Sequence, residues 1–315
     1  MTASQNASQQ PRTYAAAHFA LELDGKKDVG LFRSIEGGGV KADVMTYQYG
    51  AMYDRWRQLG KPKFEDIKLQ IGMAMSKPFY DWIQEFFGGE GVRKNGAIVA
   101  ADFYYKERAR REFKNALIKE VTFPKLDAQD KNAVYMNVTI APEEIEFKAG
   151  KGERLVVANG MHNQKLWTAC NFRLAIDGID ESATKRVTKI DSFTIKQDIL
   201  DYHMGGARAP TKSRGRIDYP NIVFYLPESD AEPLIKHFAT RAIKGEVRGH
   251  STQRSGIIQT YDNEMKPLFA VEFFEADLLS VTPDKSDASS EEIKQVKFEM
   301  YVERMSFDWM AMEVV

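Results

Sequence analysis

The chain repeats itself, and that repetition constrains its fold more than any other feature. His18 to Gly25 reads His-Phe-Ala-Leu-Glu-Leu-Asp-Gly, and Asn171 to Gly178 reads Asn-Phe-Arg-Leu-Ala-Ile-Asp-Gly. Each is an alternating strand closed by Asp-Gly, a turn pair whose glycine accepts positive φ. Phe19 and Phe172 lie 153 positions apart. A second echo, Ser34 to Val44 against Lys189 to Ile199, is offset by 155 positions. A third sets Ala141 to Phe147 against Tyr301 to Phe307. Order and direction are kept, so the sequence reads as a tandem duplication of one domain. A length of 315 residues suits two such domains.

The expected organisation is an arm over 1–14 without order, a first domain over 15–148, a linker over 149–166 and a second domain over 167–315. In the first domain, strands are predicted at Phe19–Leu23, Val40–Gln48, Phe64–Ile71, Ala97–Tyr104, Phe113–Phe123 and Val134–Phe147. Between the second and third lies a long polar-aromatic arm, Tyr47 to Pro62, where Gly60 and Pro62 argue against a continuous strand. Phe79, Trp82, Ile83, Phe86 and Phe87 recur at three- and four-residue spacing. They predict one amphipathic helix, with Ser76 at its N-cap, Pro78 in its first turn and Gly88-Gly89 as its stop.

The second domain repeats the plan. Its strands are Phe172–Ile176, Ser192–Leu200, Ile222–Leu226, Leu268–Ser280 and Val296–Phe307, and its arm is Asp201 to Tyr219. Its helix is Asp230–Ile243, with Asp230 as cap and Leu234, Ile235, Phe238 and Ile243 on one face. The fold class is therefore mainly β with helices: two tandem β-barrels, each covered by one packed amphipathic helix.

Composition narrows the function. Lys plus Arg is 44 against 45 for Asp plus Glu, so net charge gives no general attraction to nucleic acid. The single cysteine, Cys170, excludes an internal disulfide framework and suits a reducing compartment. Met1 to Arg12 lack the pattern of a signal peptide, and no apolar run is long enough to span a membrane, so a soluble protein is expected. Gly37-Gly38-Gly39 leads into a strand, without the spacing of a phosphate loop. The five histidines show no metal-ligand spacing, and His162 with Cys170 lacks an orienting third group. Glu143 and Glu144, like Glu291 and Glu292, read as solvated neighbours. Arg108, Arg110, Arg111 and Lys114 read as a charged loop, with an intersubunit or channel-facing patch as the alternative. No catalytic residue, cofactor or metal is expected.

Several local signatures carry a resemblance. They are Phe19 to Gly25 followed by Phe32 to Gly38, Val40 to Tyr47, Gly60 to Pro62 leading into Ile67 to Gly72, Phe79-Tyr-Asp-Trp-Ile83, and Ile140 to Phe147. With them the chain resembles the tail-tube protein family of contractile phages and related injection systems. The second half shares the order of elements but not the Gly72 and Trp82 features. The resemblance implies a structural, non-enzymatic protein whose barrels stack as six-fold rings around a channel for DNA or protein cargo, bound without sequence specificity. It implies sheath, baseplate or hub, and tube-terminator proteins as partners. It places the product in a virion tail or injection-system particle assembled in the bacterial cytoplasm, with no membrane association. In the family this arm contacts neighbouring subunits or rings. Carried over, this implicates Tyr47, Tyr49, Tyr53, Arg55, Trp56 and Arg57, with Tyr202, Arg208, Arg214 and Arg216 in the second arm. Two domains in tandem fit either hexameric rings or a trimer with pseudo-six-fold symmetry, as in a baseplate hub, initiator or terminator ring.

Overall fold

The computed structural model describes residues 18–50, 53–72, 75–155, 167–206, 208–245, 253–284 and 293–309. The expected N-terminal arm and most of the expected linker lie outside these residues, as do His162 and the Glu291-Glu292 pair.

The first half contains β1 (His18–Leu23), β2 (Lys26–Phe32), β3 (Ser34–Gly37), β4 (Val40–Tyr47), β5 (Trp56–Phe64) and β6 (Ile67–Ile71). Helix α1 (Lys77–Phe87) follows, then β7 (Lys94–Ala101), β8 (Glu107–Phe123), β9 (Leu126–Asp127), β10 (Met136–Ala141) and β11 (Glu144–Ala149). Antiparallel pairing runs β2-β1-β7-β8-β10-β6-β3, and the two ends of that path are consecutive in the chain. Arg33, between them, donates its N–H to Gln70 O at 2.9 Å, so this half is a nearly closed barrel.

The second half contains β12 (Phe172–Ile176), a short helix α2 (Glu181–Thr184), β13 (Lys189–Ile190), β14 (Phe193–Tyr202), β15 (Thr211–Asp218) and β16 (Ile222–Pro227). Helix α3 (Glu232–Phe238) precedes β17 (Arg254–Tyr261), β18 (Pro267–Pro283), β19 (Gln295–Tyr301) and β20 (Arg304–Trp309). Its path is β12-β17-β18-β19-β16-β13, with β9 of the first half added beyond β13. Here the expectation of a second barrel needs correcting: the sheet is open among the described residues. In the place of β2 the chain forms α2, where Asp180 accepts the Ser182 N–H at 2.9 Å, so no strand bridges the ends.

Strand register repeats residue for residue. Gly96 faces Phe113 where Gly256 faces Phe273, and Ile145 pairs with Phe113 where Met305 pairs with Phe273. Every one of these steps is offset by 160 positions, and β3 against β6 matches β13 against β16 at 155. The left-handed residues recur at the same places: Tyr105 and Met265 at φ 61° and 62°, Asn115 and Glu275 at φ 48° and 56°. Gly96 and Gly256 are required for one reason. A Cβ on either would collide with a backbone oxygen of the neighbouring strand, Glu22 or Ala175, and with the ring of Phe113 or Phe273.

The predicted strand Val134–Phe147 is two strands broken at Pro142-Glu143, and Val296–Phe307 likewise breaks before Arg304. Strand β5 runs through Gly60 and Pro62, against expectation. Among the described residues the hairpin pairs with no third strand, so Pro62 needs no donor on its outer edge. The basic cluster Arg108 to Lys114 belongs to β8, not to a loop.

Helix α1 buries Phe79, Tyr80, Trp82, Ile83, Phe86 and Phe87, and Gly89 ends it at φ 70°. Its Ser76 occupies the N-cap without a side-chain hydrogen bond. The second helix is shorter than expected: α3 is preceded by a 3-10 turn, Glu228–Asp230, and followed by a π turn, Ala239–Ile243. Asp230 does not cap it and instead accepts from Arg186 at 3.2 Å. Of the expected apolar face only Leu234 is fully buried, while Ile235 and Ile243 are exposed.

One hydrophobic core joins the halves. Phe123 at the end of β8 stacks on Phe193, 5.0 Å between ring centroids, and approaches Phe269 and Phe307. Tyr80 of α1 lies flat on Trp309 of β20 at 3.5 Å. Burial pushes the Tyr80 hydroxyl well above its ordinary pKa, so it stays neutral.

Candidate assembly interface

The first arm is a two-stranded hairpin, β4–β5, that pairs with no other strand among the described residues. Its register shifts between Ala42 and Val44, opposite Gly60, where an added Cβ would stand 3.3 Å from Asp43 O. Every residue of β4 is exposed. Val40, Val44, Met45 and Tyr47 on β4, with Trp56 and Leu59 on β5, present apolar side chains to solvent. Lys63 bonds Asp43 at 2.9 Å, and Lys41 bonds Glu65 and holds that carboxyl below its usual range. A lone hairpin with this much exposed apolar surface has the properties of a contact surface rather than of a finished edge.

The second arm repeats the geometry and is partly engaged within the chain. In β14–β15 the shift falls between Gln197 and Ile199, and Gly215 sits against Asp198 as Gly60 does against Asp43. The root of β14 adds to the first half: Phe193, Thr194, Ile195 and Lys196 pair with Phe123, Thr122, Val121 and Glu120 of β8. Thr122 and Thr194 hydroxyls meet at 2.9 Å. Next to this, Glu143 accepts the Lys212 N–H at 2.6 Å and the Asn115 amide at 2.7 Å, while Arg93 donates to Lys212 O at 2.6 Å. Glu143 is therefore buried and fully used, not solvated as its neighbour Glu144 is. The turn between β10 and β11 points it inward, and nothing in an adjacent Glu-Glu pair reveals that.

Tyr47 and Trp56 form the outermost pair of the first hairpin, and Arg57 stands opposite Thr46. Tyr49, Tyr53 and Arg55 are exposed beyond them. Tyr202 ends β14 opposite Thr211, and Arg216 is exposed on β15. Arg208 reaches back to the first arm, 3.4 Å from Gly60 O. Arg214 lies on the glycine turn after α1, and a Cβ on Gly91 would strike its Cδ. Between the arms lies a groove of about 740 Å³, lined by Met45, Phe64, Asp66, Ile199, His203 and Lys212 among others.

Among the apolar residues found at the surface are Phe147 on β11 and Leu279 on β18, which nothing in the sequence singled out, and Ile235 on α3, expected on a covered helix face. Phe147 stands in the register of Phe307, which is buried, so only the alignment of the halves singles it out.

Cys170 is half-buried beside Thr168 and Asn171. No group of His, Cys, Asp and Glu among the described residues could hold a metal ion. No helix among them is long and apolar enough to cross a membrane.

Residues 15–146 match the family described as T4-like virus tail tube protein gp19, a family of structural proteins. Over this stretch the resemblance to tail-tube proteins of phages and contractile injection systems is shown. Among solved structures, a chain of the sheath-tube complex of the extracellular contractile injection system PVC, in its extended state, is 18% identical. That match covers 47% of this chain and 99% of the other at a TM-score of 0.38. A chain of the tube-terminating cap of the anti-feeding prophage is 16% identical, covering 47% and 100% at 0.36. The Hcp1 protein of E. coli EAEC 042 is 14% identical, covering 45% and 92% at 0.27. No curated protein matches the chain by sequence.

Proposed function

From a chain whose first half matches the tail-tube family over residues 15–146, we propose a structural ring component of the tube of a contractile phage or phage-like injection system. Copies self-assemble around a channel that passes DNA or protein cargo, in a particle with sheath and baseplate partners. The finer reading is that both halves are tube-like units, over 15–148 and 167–315, the second left open where α2 replaces a strand. The observation that carries the proposal is the unpaired β4–β5 hairpin, whose apolar residues face solvent inside the family-matched stretch. Tyr47, Tyr49, Tyr53, Arg55, Trp56 and Arg57 then contact the next subunit, with Tyr202, Arg208, Arg214 and Arg216 at the second arm.

A second reading is an end ring, such as a baseplate hub, initiator or terminator. One observation favours it: the halves join side by side, with β14 extending the sheet of β8, so each chain contributes two adjacent units to one ring. If the family's six-fold ring holds, three chains close it. Native mass spectrometry and negative-stain microscopy test both. A closed ring of three 35.8 kDa chains that stops growing supports the end ring. Long tubes support the main tube, and a monomer at high concentration refutes both.

A further inference from the structure

The contact between the halves is a template with one bare copy. In it the first half contributes an open strand edge, Glu120 to Phe123 of β8, and the helix α1. The second half contributes the root of β14, which pairs with that edge, and β20, whose Phe307 and Trp309 lie under α1.

The same parts recur in the opposite halves. Ser280 to Pro283 of β18 match Glu120 to Phe123, since both pair with the last strand but one of their half in the same register and with the same bulge. On the other side these four residues have no strand partner among the described residues. Helix α3 matches α1, and both carry proline in the first turn; Tyr80 corresponds to Ile235. In the first half, β4 matches β14 through the shared hairpin register, and Phe147 of β11 matches Phe307. Phe307 is 4% exposed under α1, whereas Phe147 is 58% exposed and Ile235 is 39% exposed.

We infer that a second copy of this chain docks here: its β4 adds to the bare end of β18 while its Phe147 packs under α3. The inference deepens the ring reading given above and rests on it. Carrying over the internal register places Val40 of one copy opposite Val281 of the next, and Lys41 opposite Ser280. The contact is head-to-tail, because the edge and helix always come from one side and the hairpin and β-strand phenylalanine from the other. Repeated around an axis with a rotation that closes, such a heterologous interface makes a ring. Strand addition supplies directional backbone hydrogen bonds, and Phe147 with Ile235 supplies apolar burial. Val40, Phe147 and Ile235 are all exposed in the single chain, as the inference requires.

The test uses the full chain with Cys170→Ala, carrying Lys41→Cys and Ser280→Cys together, oxidised under mild conditions. The expected result is a ladder of covalent oligomers above the dimer holding most of the protein, while either single cysteine variant stops at dimer. Rings that persist in microscopy without a ladder overturn this interface and leave the ring reading standing. Absence of both rings and ladder overturns the two together. A companion variant, Phe147→Asp, should abolish rings while leaving the β-rich circular dichroism and melting of the separate chain unchanged. Rings as abundant as in the parent chain would overturn the helix part of the contact.

Discussion

In the first half, the guanidinium of Arg110 is buried between Glu22, at 2.8 and 3.0 Å, and Glu107, at 2.9 Å. At the matching places of the second half stand Ala270, Ala175 and Pro267. The exchange also runs the other way. Leu117, Trp82 and Phe86 fill apolar space in the first half, and their counterparts form a hydrogen-bonded group in which the half-buried Arg241 and His237 lie 2.7 and 3.1 Å from the buried Asp277. Strand register, bulges and left-handed residues are kept between the halves while buried side chains change from charged to apolar and back. Backbone geometry defines this unit, and either kind of chemistry can fill it once every buried charge is paired.

That view breaks most readily at Arg110. Burial works against its charge, and the bonds from Glu22 and Glu107 outweigh it and raise its pKa. Arg110→Ala leaves the buried Glu107 and the half-buried Glu22 without their cation, and urea unfolding should show a loss of about 3 kcal/mol. If the loss is below 1 kcal/mol, pairing is not what lets a charge replace an apolar cluster here. Of similar size is the helix. Trp82 is buried and donates Nε1–H to Val92 O at 3.0 Å, so Trp82→Ala should cost about 3 kcal/mol. His237→Ala, at the matching position, should cost about 1 kcal/mol, the net worth of a hydrogen bond. Equal losses would mean that the two helices carry equal shares of the core.

The smallest expected effect is acid sensitivity in the second half. Burial alone would raise the Asp277 carboxyl, but bonds from Arg241, the Leu278 N–H and His237 together hold it below the ordinary carboxylate range. Its folded pKa is thus lower than its unfolded value of about 4. The stabilisation is present in full above that value and disappears as pH falls through the folded pKa. Melting temperature followed downward from pH 6 should therefore drop less steeply for Asp277→Asn than for the parent chain. Parallel curves would show that Asp277 adds nothing through its charge.

The duplication could be read from sequence because its markers are local: the Asp-Gly turns and the alternating strands beside them. Helix α1 was legible for the same reason, since its aromatic residues follow a helical period without interruption. Strand β2 was not, because Lys26, Lys27 and Asp28 are polar and its two core residues, Val29 and Phe32, stand three apart, off the two-residue period of a strand. Strand β17 was missed beside residues that carry little apolar pattern, Arg254 to Gly256. The pattern in α3 was real but misleading: Ile235 and Ile243 share its apolar character and face solvent in the single chain. Helical periodicity marks an apolar face without saying whether its cover comes from the same molecule. The arms showed the converse. Their composition pointed to contact, yet only the coordinates place Arg214 beside the glycine turn after α1 and leave Tyr53 fully exposed.

The β14–β8 pairing has a consequence for biosynthesis. Phe193 must return to Phe123, so a nascent chain emerging from the ribosome holds the earlier strand uncovered until the later hairpin has been made. During that interval the exposed backbone of Glu120 to Phe123 could capture the wrong hairpin, above all the β4 segment of another nascent chain, whose shape is the same. Translation speed between the two halves then sets how long the chain is open to such misassembly, and a pause there should lower the yield of correctly folded protein.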